Sequence, residues 1–471
     1  MPQAFFLLMI ELEADLDYQA LLGRQKSFFR TGNTLSVSFR RQALKRLYQL
    51  VDSNKKRIQH ALFRDLGKGS SESFVTEVAP LLNEISLARH CLKNWERPRK
   101  VGTSIINRPG KSTVERIPHG VCLIAAPWNF PLNLTLVPLA SALAGGNCAI
   151  VKPSEQAPYT ADILQELISR YFEPELAAVV QGGPDVLLSL VQAGPDFLFF
   201  TGGKTAGSAL MKEAAGHLTA LVLELGGKNP CIVDESADIK VAARRIVWGK
   251  FINAGQSCVA PDYVLVQRSA RDKLIEYCIH YIEKFYGADP FVSGEYGRIV
   301  NDFHFRRLKH LMGDVRIIYG GEWDRGQRYI SPTIVEAEWG SAIMHEEVFG
   351  PVLPVIIYDS LAQTLEVIAS KAQPLGVYLF SVNRKNIAEV KRVTRSGMLC
   401  INGTLHVVIS RCLPFGGVGE SGMGRYHGRS GYEAFTRERS ILVKNSHVDW
   451  RIYPPYRMHL HIIGSLVRRF I

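Results

Sequence analysis

Val121-Cys122-Leu123-Ile124-Ala125-Ala126, Cys148-Ala149-Ile150-Val151, Ala177-Ala178-Val179-Val180 and Phe197-Leu198-Phe199-Phe200 are four short strand-like runs separated by helical stretches of crossover length. That order implies βαβ units and a parallel, doubly wound α/β sheet. Upstream, residues 40–66 and 78–95 carry apolar positions on a helical period. A Pro/Gly-marked stretch from Arg97-Pro98 to Arg108-Pro109-Gly110 breaks that pattern and precedes a β-prone segment, Ser112 to Arg116. Downstream of Gly226 a second alternating series runs to about Gly424. Its strand candidates are Cys231 to Val233, Tyr263 to Val266, Val352 to Ile357 and Gly376 to Phe380. With 471 residues, 46% of them hydrophobic and 21% charged, the chain exceeds the length at which one core stops growing. Two or three domains are expected.

The formal charge of +12 is mostly spread among acids, which fits a solvated surface, and no nucleic-acid module signature accompanies it. From Arg425 onward there are nine Lys or Arg against three Asp or Glu, so half of the net charge lies there. In that stretch Leu460, Ile463, Leu466, Val467 and Phe470 recur at helical spacing, with Arg468 and Arg469 beside them. Such a basic amphipathic tail is suited to an anionic membrane surface, to covering the protein's own cleft, or to docking on the core. It is far short of a membrane span. The apolar run Ala4 to Ile10 lacks a basic leader and runs into Glu11 and Glu13, so it reads as an arm rather than a secretory signal, and a cytoplasmic setting is expected. The eight cysteines show no C-x-x-C pair and no zinc spacing, so reduced, mostly structural thiols and no metal are expected.

One cysteine stands apart. Cys258, in Gly255-Gln256-Ser257-Cys258-Val259-Ala260-Pro261, follows an amphipathic helix in a small-residue turn that can hold a thiol exposed and reactive. Glu224 ends an apolar strand at Gly226-Gly227, and Asn129 sits in the Pro-bracketed turn Pro127-Trp128-Asn129-Phe130-Pro131. A thiol, a base and an amide donor are the parts that covalent acyl chemistry needs. Phe200-Thr201-Gly202-Gly203-Lys204-Thr205-Ala206-Gly207 is laid out as strand, glycine turn and helix start, which brings N–H groups to a pyrophosphate; as a motif it is weak. Lys152 and Glu155 fall at another strand's carboxyl end, where a ribose could be held. Glu347 and Phe349 lie at the mouth of the later strands. Together these describe a cofactor cleft between two domains.

From about Arg41 to Pro455 the chain resembles the aldehyde dehydrogenase superfamily. The motifs are Pro127-Trp128-Asn129-Phe130-Pro131, Lys152-Pro153-Ser154-Glu155, Phe200-Thr201-Gly202, Glu224-Leu225-Gly226-Gly227-Lys228, Gly255-Gln256-Ser257-Cys258, Glu347-Val348-Phe349-Gly350-Pro351 and Pro414-Phe415-Gly416-Gly417, in that order. Cys258-Val259-Ala260-Pro261-Asp262-Tyr263 and Ser421-Gly422-Met423-Gly424-Arg425-Tyr426-His427-Gly428 look like the class 3 branch of fatty, aromatic and apocarotenal aldehyde dehydrogenases. Gly203 departs from the pattern, since many relatives carry a small polar residue there.

The resemblance implies a dinucleotide-binding domain (1–96 and 120–224), a catalytic domain (225–424), a small β-rich bridging element that makes a homodimer (97–119 and 425–445), and the tail (446–471). It also implies NAD or NADP as cofactor. Lys152 and Glu155 would meet the adenosine ribose, with Glu155 favouring a free 2′-hydroxyl and Lys152 a 2′-phosphate. Thr201, Gly202 and Gly207 would frame the pyrophosphate turn, Glu347 would hold the nicotinamide ribose, and Trp128, Leu225 and Phe349 would line the cofactor. Cys258 would attack an apolar aldehyde, Asn129 and the Cys258 N–H would steady the oxyanion, and Glu224 would activate water against the thioester. The other readings are a non-catalytic nucleotide-binding relative and a peripheral membrane protein that works mainly through its tail.

Overall fold

The computed structural model of the protein describes residues 18–448 together with 453, 454 and 464. The apolar arm at residues 4–10 and, residue 464 aside, the amphipathic stretch 460–470 lie outside the described residues.

The four runs pair as the sequence predicts. One sheet has the spatial order Gly422–Met423, Ala220–Leu225, Phe197–Gly202, Val121–Ala125, Cys148–Lys152, Ala177–Val179. Every neighbouring pair is parallel except Gly422–Met423, which runs antiparallel against Leu223 and Glu224. Strand order reverses between Val121–Ala125 and Phe197–Gly202, and the crevice for a ligand opens beyond the carboxyl ends of such a pair. The segments found there are Pro127-Trp128-Asn129 and Gly202-Gly203.

A second sheet has the order Arg316–Tyr319, Thr333–Glu336, Val352–Tyr358, Tyr263–Gln267, Pro230–Val233, Gly376–Phe380, Met398–Ile401. It is parallel apart from the Arg316–Tyr319 edge. Three of its strands, Arg316–Tyr319, Thr333–Glu336 and Met398–Ile401, were not expected. Each has only four residues, and the two outermost are largely half-buried or exposed, so no long apolar run announces them.

A third, antiparallel sheet joins Arg99–Val101, Gly110–Pro118 and Thr436–Lys444, with Thr436 opposite Pro118 and Lys444 opposite Gly110. Before reaching it the chain leaves the second sheet. Phe415 bridges to Tyr426, and Phe415, Tyr426, Tyr432 and Phe435 all bury into the core of the first sheet. A boundary at residue 424 therefore does not separate the two cores.

The long helix Val37–Leu66 shows how local signals place the site. Ser36 caps its start by accepting from the Phe39 N–H at 3.5 Å, and Gly67, at φ 63°, ends it with its N–H on the Phe63 carbonyl. Leu44, Leu47, Val51, Ile58 and Leu62 form its buried stripe. The turn released at Gly67 carries Lys68 inward, where it is fully buried.

Candidate active site

Cys258 sits on a turn that most residues would refuse. The helix Ile239–Phe251 ends, and Asn253, Ala254 and Gly255 follow with φ of 55°, 50° and 73°. Left-handed backbone at two non-glycine residues costs on the order of 1–3 kcal/mol each, so neighbours must hold it. Glu72 does so by accepting from the Asn253 N–H at 2.6 Å, while Asn253 Nδ2 donates to the carbonyls of Asn129 (2.8 Å) and Gln256 (3.0 Å). The third position has to be glycine, because a Cβ on Gly255 would lie 2.2 Å from the Gly350 carbonyl oxygen. Beyond the turn, Asn229 Nδ2 donates to the carbonyls of Cys258 (2.7 Å) and Ala260 (3.0 Å). The thiol is thus clamped from both sides.

Asn129 is brought to the same turn, its Nδ2 donating to the Gln256 carbonyl at 3.1 Å. One amide hydrogen remains for another acceptor. The Pro-bracketed loop carrying it is pinned by Glu77, which accepts from the N–H groups of Leu132 (2.9 Å) and Asn133 (3.2 Å).

Two cavities meet at the sulfur. One, of 740 Å³, opens toward the first sheet and is walled by Trp128, Gly202, Gly203, Glu347 and Phe349; the other, of 550 Å³, is walled by Val75, Phe130, Trp248, Leu405 and Phe415. Only Thr201, Glu224, Leu225 and Cys258 line both. Volumes of this size hold small organic ligands.

Glu224 is 2% exposed, and neither of its oxygens completes a hydrogen bond among the described residues. Burial raises its pKa well above the ordinary carboxylate range, with the Gly417 N–H pulling the other way. A buried carboxyl that lacks a completed hydrogen bond is costly.

The turn does not leave the thiol fully exposed. Cys258 is half-buried where the cavities join, and its pKa is raised, first by desolvation and then by the carboxyls of Glu347 and Glu224. Its own N–H and that of Val259 act in the opposite direction. Desolvation favours the neutral thiol, whereas the thiolate is the nucleophile. The other cysteines are all free: four are buried, two intermediate, and Cys412 is exposed rather than structural.

The larger cavity suits a dinucleotide. Gly203 precedes the helix Lys204–Ala215 and no side chain caps that helix, so its first N–H groups stay free for an anion. A Cβ at Gly203 would meet nothing within 4 Å, so the departure there removes a polar group without changing the room available. Gly207 lets this helix close on the sheet, since a Cβ would lie 2.8 Å from Leu225 Cδ2. Thr201 Oγ1 is buried and has no hydrogen-bond partner among the described residues. Glu347 reaches under Gly226, where a Cβ would lie 2.0 Å from Oε2, and burial lifts its pKa to about 8. Trp128 and Phe349 meet edge to face at 5.4 Å. Lys152 and Glu155 are not in these walls; they pair with each other at 2.6 Å on the neighbouring strand.

Several residues around the site carry no motif of their own. Asn253 stands in the Asn253-Ala254-Gly255 run, and its proximity to Cys258 was the available clue. Glu72, Lys68 and Glu77 come from a helical region far away in sequence. His304 packs against Trp128 with ring centres 4.9 Å apart and planes tilted by 45°, and burial lowers its pKa to about 4. Lys250 is fully buried with its Nζ unpartnered among the described residues, and burial lowers its pKa to about 8.

Residues 11–441 match the aldehyde dehydrogenase family. The 4,4′-diaponeurosporen-aldehyde dehydrogenase of Staphylococcus aureus is 42% identical over 92% of this chain and 95% of its own length. A rat protein named aldehyde dehydrogenase, dimeric NADP-preferring, is 41% identical over 92% and 96%. The solved substrate-bound state of Staphylococcus aureus AldH superposes with a TM-score of 0.93 at 40% identity, covering 95% of this chain and 99% of that one. The chain belongs to the aldehyde dehydrogenase family. It is an NAD(P)-dependent enzyme that oxidises aldehydes.

Proposed function

We propose that this enzyme oxidises apolar aldehydes, of medium to long chain or with aromatic or polyene bodies, to carboxylic acids, with Cys258 as nucleophile, Asn129 as oxyanion donor and Glu224 as general base. The observation that carries this reading is the pair of cavities that share Cys258 and Glu224, one of them walled mainly by apolar side chains. Burying one Leu- or Phe-sized group in such a wall stabilises by about 1.5–3 kcal/mol, so an alkyl chain binds there by its length. The name of the Staphylococcus aureus relative, an apocarotenal-type aldehyde dehydrogenase, points the same way.

The chemistry follows from the placement. The Cys258 sulfur bonds to the aldehyde carbon as its proton passes to a base, and the carbonyl oxygen becomes an oxyanion facing Asn129 Nδ2 and the Cys258 N–H. One such donor is worth about 3 kcal/mol in the transition state. As the oxyanion collapses, the C–H bond of the former aldehyde carbon breaks and its electron pair leaves as hydride, for which bound NAD(P)⁺ would be the acceptor. Cys258 is left as a thioester, and Glu224, whose raised pKa makes its carboxylate a stronger base, takes a proton from the attacking water. The carboxylic acid leaves and the thiol is restored.

The cofactor side consists of Thr201, Gly202 and Gly207 at the pyrophosphate turn, Glu347 at the nicotinamide ribose, Trp128, Leu225 and Phe349 alongside, and Lys152 with Glu155 at the adenosine ribose. The strand Thr436–Lys444, an edge with Leu442 and Val443 exposed, supports a homodimer, as does the dimeric rat relative. Among the described residues no helix is long and apolar enough to cross a membrane. The test is Cys258→Ala: aldehyde-dependent NAD(P)H formation is lost while dinucleotide affinity stays within about threefold of the parent. Appreciable turnover in that variant removes the mechanism.

A further inference from the structure

Part of the apolar cavity's wall is polar and exposed. Ten residues beyond the strand Met398–Ile401, Arg411 lines the cavity wall, and its Nη1 donates to Oδ1 of Asn83, on the helix Ala79–Trp95, at 2.7 Å. Both side chains are exposed, while the cavity they border runs inward to Cys258. Glu84, next in the helix, is buried and accepts from the Gly428 N–H through Oε1; burial raises its pKa, with the Gly428 N–H and the charge of Arg411 pulling the other way. His427, on the same wall, is held neutral, its pKa lowered to about 4 by burial. Arg411 thus brings a cation to the exposed edge of the apolar cavity, hydrogen-bonded to a neutral amide.

We propose that Arg411, oriented by Asn83, receives the far carboxylate of bifunctional substrates, so that the enzyme accepts ω-oxo acids, molecules with an aldehyde at one end and a carboxylate at the other. This rests on the reading that the apolar cavity takes the aldehyde's chain. A carboxylate carried into an apolar cavity without a partner is strongly disfavoured, and a cavity of this kind would otherwise reject such molecules. A guanidinium offers two parallel donors to a carboxylate, and with Nη1 turned to Asn83 the remaining N–H groups can face the cavity mouth. The Arg–carboxylate contact forms at a solvent-exposed rim, so its strength is limited by screening and weakens with salt.

The experiment compares kcat/KM for straight-chain aldehydes and for ω-oxo acids of matched length, from four to twelve carbons, in the parent, Arg411→Gln and Asn83→Asp. The second variant leaves Arg411 in place and sets a carboxylate beside it. At least one chain length of oxo acid is expected within about tenfold of its plain aldehyde in the parent, with KM rising as ionic strength increases. Both variants should lower the ratio of oxo-acid to plain-aldehyde kcat/KM by about fivefold or more, through KM. An unchanged ratio in both variants, or a parent that excludes every oxo acid, overturns the assignment. A parent inactive on all plain aldehydes overturns instead the reading of the cavity as the chain's site.

Discussion

Lys68 and Glu77 form an ion pair 2.5 Å apart with both side chains fully buried, and Lys68 Nζ continues to the Asn129 carbonyl at 3.1 Å. Nζ also lies 4.3 Å from the centre of the Phe130 ring. The loop that presents Asn129 is therefore built on a charge pair inside the protein. Removing one partner of such a pair leaves the other charge uncompensated and costs about 3–5 kcal/mol.

Lys68→Met should accordingly lower the unfolding free energy by about 3 kcal/mol and reduce kcat well below the parent's, with dinucleotide affinity little changed. The double variant Lys68→Met/Glu77→Leu should regain part of the stability and none of the kcat. Denaturant unfolding beside steady-state kinetics makes the comparison. A kcat that recovers along with stability would show that the pair only holds the fold together.

Glu224→Gln should produce NAD(P)H in a burst of about one equivalent per subunit and then stall at the thioester, because the step it serves follows acyl formation. Stopped-flow absorbance reads the burst, and intact-protein mass spectrometry reads the acyl group. Steady turnover at the parent's rate would assign the base role to another group, with Glu347 next in line.

Glu347 makes stability depend on pH in a known direction. Its carboxyl titrates near 4.5 when unperturbed and at about 8 in the fold. Below pH 4.5 it is protonated in folded and unfolded chains alike, whereas between 4.5 and 8 the unfolded chain ionises and the folded one resists, so stability is lost as pH rises. Glu347→Gln should therefore melt at a higher temperature than the parent at pH 8 and at the same temperature near pH 4.5. A gap independent of pH would mean that the carboxyl ionises in the fold as it does in solution.

The Lys152–Glu155 pair sets the cofactor preference if it meets the adenosine ribose. Glu155 as a carboxylate repels a 2′-phosphate, and Lys152 attracts one. Both cofactors should serve the parent, and Glu155→Gln should shift the ratio of kcat/KM values toward NADP by several fold. An unchanged ratio would place the discrimination elsewhere, in keeping with the position of both residues outside the walls of the 740 Å³ cleft.

What the sequence determined by itself was the parallel sheet and the chemical parts. Apolar runs such as Val121 to Ala126 and Cys148 to Val151 are legible because a strand buried at every position has no other composition open to it, and Gly and Pro mark the turns that carry Cys258 and Asn129 and the strand end that carries Glu224. The tertiary structure decided what those parts experience. Burial, not local sequence, raises the pKa values of Cys258 and Glu224, and burial is a sum over neighbours from many segments. The strained turn at Asn253 and Ala254 stands because Glu72, 181 positions earlier, accepts the Asn253 N–H. Residues 415–435 return to the first core, where Tyr426 and Phe435 fill space that no periodicity in their own segment could disclose. Local patterns record which groups a chain carries, but packing alone fixes which of them share a cavity and at what dielectric cost.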